Sequence, residues 1–191
     1  MDDEFEELKN AIDRQRKYSP FFDWPDKRVK ELGILRDLIN AKELNGEFEL
    51  RNPRWSDKDP PDCIAEDKLG ALVAVEVTEL VSQEAVEKCQ SGSQVYCVWQ
   101  LSDVIDKLNN IVTVKDGKLG EVRSSKSYSK VILVVHTDES TITYNDMGEG
   151  IRKMPPIPAK NIDEMYLLFS YDPADGGKYP YIRLQIRRCV Q

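Results

Sequence analysis

Apolar positions along this chain recur at two periods, three-to-four and two, and the changes of period mark its elements. Phe5, Leu8 and Ile12 predict an acidic amphipathic helix over about 3–17. An aromatic linker follows to residue 24, with Tyr18, Phe21, Phe22 and Trp24 interrupted by Pro20. Pro25 then stands where proline suits a helix start, after a cap at Asp23 or its neighbour. Val29, Leu32, Leu35, Leu38, Ile39 and Leu44 share one face of a helix over about 26–44, stopped by Asn45-Gly46.

Beyond that stop the period drops to two. Glu47 to Arg51 alternates like an edge strand, Asn52 to Pro61 reads as a connection, and Asp62 to Glu66 as a short strand. Asp67 to Gly70 reads as a hairpin turn into Leu72 to Thr78, an apolar strand interrupted by the charge of Glu76. Helices are expected around 81–90 and 100–111, with Gly117 and Gly120 marking a loop. Lys130 to Thr137 has the apolar run of a central strand, and Asp163 to Tyr171 and Tyr181 to Arg187 supply two more. Pro155, Pro156 and Pro158 argue against regular structure between them. This order predicts an α/β (α+β) domain of three layers, a mixed sheet flanked by helices, over 25–191, with 1–24 as an N-terminal appendage.

Composition narrows the function classes. The chain has 191 residues, 40% hydrophobic and 32% charged, enough for one core without disulfide staples. Its four cysteines contain no CxxC pair, so they read as free thiols in a reducing cytoplasm. An acidic start and apolar runs of at most five residues argue against secretion and membrane spanning. One histidine, His136, excludes zinc fingers and HExxH proteases, so any metal site must be built mainly from carboxylates. His136 itself reads as a structural residue at a strand end. The formal charge of −7 argues against indiscriminate nucleic-acid binding, but residues 1–13 alone carry −5 of it. Lys115 to Lys130 and the tail from Lys178 are locally basic, leaving room for a phosphate-binding surface.

Glu76 is the most informative position. Period-two geometry puts Glu76 and Thr78 on one face, and a hairpin would lay Asp62 across from Glu76. Two such carboxylates could hold Mg²⁺ or Mn²⁺, the hard cations that assist phosphodiester hydrolysis. A strand register shifted by one would instead bring Glu79 near the site.

The literal Pro61-Asp62 and Glu76-Val77-Thr78, with a helix before them and a helix and strand after, resemble the PD-(D/E)XK superfamily, the restriction-endonuclease-like fold. The resemblance spans about 26–137 and implies a Mg²⁺-dependent nuclease acting on DNA. It assigns Asp62 and Glu76 as metal ligands, the carbonyl of Val77 as a third, and Glu31, or else Glu43, as an assisting glutamate. Thr78 occupies the place of the motif's lysine, which Lys68, Lys126 or Lys130 would then have to replace. The alternative is a catalytically inactive member of the fold that binds a protein or nucleic acid. A homodimer is compatible with either, and an unrelated α/β domain would leave Asp62 and Glu76 pointing apart.

Overall fold

A computed structural model of the protein describes residues 27–84, 87, 97–139, 141–169 and 179–189. The expected acidic helix 3–17, the aromatic linker and half of the helix expected at 81–90 lie outside the described residues.

The chain enters through α1 (Lys27–Leu44) and lays down β1 (Arg51–Trp55), β2 (Cys63–Glu66) and β3 (Leu72–Glu79). Then come α2 (Leu101–Lys118), α3 (Gly120–Ser124), β4 (Lys130–Thr137), α4 (Tyr144–Arg152), β5 (Ile157–Ala159), β6 (Glu164–Phe169), β7 (Tyr181–Leu184) and β8 (Ile186–Arg188). Six strands form one mixed sheet in the order β1-β2-β3-β4-β6-β7. The meander β1-β2-β3 is antiparallel, β3, β4 and β6 run parallel, and β7 returns antiparallel at the far edge. β5 and β8 make a separate parallel pair.

Alternation along the central strands builds a core on each face. Val73, Val75 and Val77 of β3 join Ile132 and Val134 of β4 under Leu32, Leu35 and Leu38 of α1. Ala74, Leu133 and Val135 point the other way, to Val104, Leu108, Ile111 and Val112 of α2 and Ile151 of α4. Strands covered on both sides must be apolar throughout, which is why β3 and β4 read as continuous runs. The result is the expected three-layer α/β domain. Among the described residues no helix is long and apolar enough to cross a membrane.

Local chemistry explains the boundaries. Gly46 ends α1 at φ +81°, with its amide bonded to the Glu43 carbonyl and the Glu47 amide to that of Lys42. In the hairpin turn, Asp67 accepts from the amides of Leu69 and Ala71, and Gly70 takes φ +79°.

Five expectations are corrected. The first strand is Arg51–Trp55 rather than 47–51, because Lys42 draws Glu47 and Glu49 back to α1 and Pro53 is tolerated at a bulged sheet edge. The helix expected at 100–111 continues to Lys118, and Gly120 opens α3 instead of a loop. Asp116 accepts from the amides of Lys160, Asn161 and Ile162, so a distant loop fixes that last turn. Helix α4 was not expected, since Gly148 and Gly150 lower its propensity, but a side chain at Gly150 would run into Leu101. Pro158 lies inside β5, exposed between two buried neighbours. The strand expected over 181–187 breaks at Gln185 into β7 and β8.

Lys42 ties α1 to the far half of the sheet. Its ammonium is 2.8 Å from Glu47, 3.0 Å from Glu49 and 3.0 Å from the Tyr166 hydroxyl, while Tyr166 donates to Glu164. Lys42→Met is expected to lower unfolding free energy by about 1–3 kcal/mol, less than for a wholly buried pair because both glutamates can regain water. Urea unfolding of the variant checks this, and an unchanged midpoint would refute it.

Candidate active site

The site forms where β2 stops pairing with β3. Register sets Cys63 opposite Val75, so Asp62 lies across from Glu76. One residue ahead of β2, Asp62 replaces a backbone acceptor with its side chain, its Oδ2 receiving the Val77 amide at 2.8 Å. Amide and carbonyl of one strand residue face the same neighbouring strand, so the Val77 carbonyl faces this edge too.

Helix α1 adds Glu31, which is buried and close enough to Asp62 for its charge to raise the Glu31 carboxyl. One turn earlier Lys27 places its ammonium 3.0 Å from Glu31 and 3.9 Å from Asp62. From the opposite layer, Lys115 in the last turn of α2 reaches Glu76 Oε1 at 2.6 Å. Four elements thus bring three carboxyl groups and two ammonium groups together.

Burial pushes the Glu76 carboxyl above its ordinary range; the charge of Asp62 adds to this and Lys115 opposes it. Burial also raises the Glu31 carboxyl, with Lys27 opposing and the charge of Asp62 reinforcing. Glu76 Oε2 is buried and has no hydrogen-bond partner among the described residues. An unsatisfied carboxylate oxygen beside a second carboxylate suits a hard cation. No three His, Cys, Asp or Glu side chains among the described residues already form a cage. The available donors are therefore Asp62, Glu76 and the Val77 carbonyl, and Mg²⁺ ordinarily keeps several waters besides one or two carboxylates.

No family model, no curated protein and no solved structure matches the chain. The functional reading rests on the residues themselves.

Of the residues expected at the site, Asp62, Glu76, Val77 and Glu31 are brought together. Thr78 shares the face of Glu76, half-buried and uncharged. Glu43 stands twelve residues beyond Glu31 in α1, about 18 Å away along the axis. The expected substitute lysines lie elsewhere. Lys68 is in the hairpin turn at the start of β3, Lys126 follows α3, and Lys130 pairs with Glu164 beside Val73. The ammonium at the site is that of Lys115, which sequence reasoning missed by ending the helix at 111. Its signal was present: Leu108, Ile111, Val112 and 115 continue one helical stripe.

The alternative register is excluded, because Glu79 is odd-numbered and points to the α1 face. There it meets Lys30 and Asp138, and burial followed by the charge of Asp138 pushes its carboxyl up to about 8. His136, opposite Glu79 in β4, is buried, with Nδ1 lacking a hydrogen-bond partner among the described residues. Burial and then Lys30 push its imidazole down to about 4.

A depressed histidine confers stability above its unfolded pKa, near 6.5, that is lost as pH falls towards the folded value, because the unfolded chain binds the proton first. His136→Gln, measured by urea unfolding in pH steps, is expected to flatten the loss between about pH 6.5 and 4. Equal slopes for both proteins would contradict a buried neutral imidazole.

Proposed function

We propose that this protein is a divalent-metal-dependent nuclease that hydrolyses phosphodiester bonds, DNA being the expected substrate. The observation that carries the reading is the Asp62–Glu76 pair with the Lys115 ammonium beside it, supplying from α2 the charge that Thr78 lacks. The order helix, antiparallel meander, helix, parallel strand also fits the resemblance to the PD-(D/E)XK superfamily. Three thiols, Cys63, Cys97 and Cys189, form no disulfide, which suits the cytoplasm.

On this reading Asp62, Glu76 and the Val77 carbonyl hold Mg²⁺ or Mn²⁺, which would polarise the phosphate and acidify a bound water. Lys115 stabilises negative charge as it develops on the attacked phosphate. Glu31 lies beside Asp62 and shares the Lys27 ammonium with its Oδ1. Val77 fixes the other Asp62 oxygen through its amide.

A second reading, an inert binding module, is favoured by one feature: Lys27 and Lys115 already balance much of the carboxylate charge. Isothermal titration of Mg²⁺ and Mn²⁺ into the metal-free protein separates the two. Binding by wild type, lost in Asp62→Asn/Glu76→Gln, is expected together with metal-dependent cleavage of DNA. Lys115→Ala should keep metal binding while cleavage falls about 10²-fold or more. Cleavage that survives in the double variant would refute the assignment, and absence of both binding and cleavage would leave the binding module.

The same lysine makes a stability prediction. Lys115→Met leaves buried Glu76 facing Asp62 without its partner and should cost about 1–3 kcal/mol. Adding Glu76→Gln in the same chain should recover most of that loss, read from urea midpoints. A loss that the second change leaves intact would mean that Lys115 matters through its packing.

A further inference from the structure

We propose that Trp55 is a base-stacking platform at the rim of this site, and that the substrate strand is single-stranded nucleic acid. The inference rests on the nuclease reading and deepens it.

Trp55 ends β1 directly opposite Cys63, the residue after Asp62. Its side chain is a large apolar surface left 46% exposed. The indole N–H does not search for solvent, because it donates to the Arg28 carbonyl at 2.9 Å. The ring is thus held in orientation while retaining exposed apolar surface. Arg28 follows Lys27, whose ammonium contacts Asp62, so the indole and the metal-ligand carboxylate are fixed by the same first turn of α1. Fixing an aromatic ring in advance removes part of the ordering cost of binding.

Charge decides which nucleic acid the platform fits. In the segments that meet at Trp55, the exposed Lys27, Arg28, Arg54 and Lys58 are interspersed with Asp57 and Asp59, and Arg54 is paired with Glu66. Such a mixed rim makes no continuous basic track. Phosphate neutralisation, which supplies most of the affinity for a duplex, has little to work with here. Stacking offers an alternative source, since every base has a face and an aromatic side chain accepts it regardless of sequence. Bases within a duplex are already stacked on one another, whereas those of a single strand are accessible. An exposed, oriented indole in a mixed-charge rim therefore favours the single strand.

The test measures binding of the full-length protein to three fluorescein-labelled probes in Ca²⁺: a single-stranded DNA dodecamer, its duplex, and the same strand with abasic residues at its centre. Wild type should prefer the single strand. Trp55→Ala should weaken that binding about five- to a hundredfold. Trp55→Phe, which keeps a ring but not the bond to Arg28, should retain most of it. The abasic strand should bind wild type weakly and be indifferent to Trp55→Ala. Circular dichroism and urea midpoints establish that both variants fold.

Equal single-strand affinity of wild type and Trp55→Ala would overturn the proposal. So would equal damage from the Ala and Phe changes, a preference of wild type for the duplex, or no binding of any probe. A parallel Mn²⁺ cleavage assay separates the two levels of inference. Cleavage alongside any of those results leaves the nuclease standing without its stacking site, whereas absence of cleavage removes both.

Discussion

Three carboxyl groups, those of Glu31, Asp62 and Glu76, converge where β2 releases β3, and keeping them there constrains everything around them. A buried carboxylate without partners is costly enough that it takes up a proton or acquires a counter-charge. Here burial raises the Glu31 carboxyl, while Lys27 and Lys115 bring ammonium groups and the Val77 amide bonds Asp62. Each compensating group comes from a different element. The first turn of α1, the start of β2, the middle of β3 and the end of α2 must therefore all be in register for the site to be tolerated.

The sheet makes that register possible. β3 is the junction between an antiparallel meander and a parallel β3-β4-β6 core, and Val73, Val75 and Val77 on one face with Ala74 on the other fix it between two helical layers. A shift by one residue would turn Glu76 into the α1 core and Val75 and Val77 towards α2, losing both faces at once. Its parity also separates two polar clusters. Glu76 meets Lys115 on one side, and Glu79 meets Lys30 and Asp138 on the other.

What was legible in the sequence follows from these constraints. The Asp62–Glu76 juxtaposition could be read because a hairpin with a short turn fixes its register locally, and α1 and β4 because their periodicity is uninterrupted. Lys115 escaped because Gly117 and Gly120 look like a stop, and the groups that carry α2 past them are amides of residues 160–162, far along the chain. Gly148 and Gly150 disguised α4 similarly, since Gly150 reflects close packing against Leu101. Pro158 argued against a strand, and Pro53 lay in the expected connection, yet proline is excluded inside a sheet and not at its edges, where both stand. In each miss a tertiary contact overrides a local preference.

Moving the site's ammonium from a strand to a helix has a physical consequence. A lysine two residues after Glu76 would be fixed by the sheet on the same face. Lys115 instead extends from the last turn of α2, where the helix dipole favours a cation and the stem can lie along apolar surface. Its bond goes to Oε1 of Glu76, leaving Oε2 buried and without a partner among the described residues. On the proposed reading those two oxygens divide the work. Oε2 is free to join Asp62 around a divalent cation while Oε1 keeps the lysine, so ligation need not displace the charge that catalysis uses. On the same reading a carboxylate shared in this way would let threonine stand at position 78, because Lys115 brings the positive charge to Glu76 from a different element.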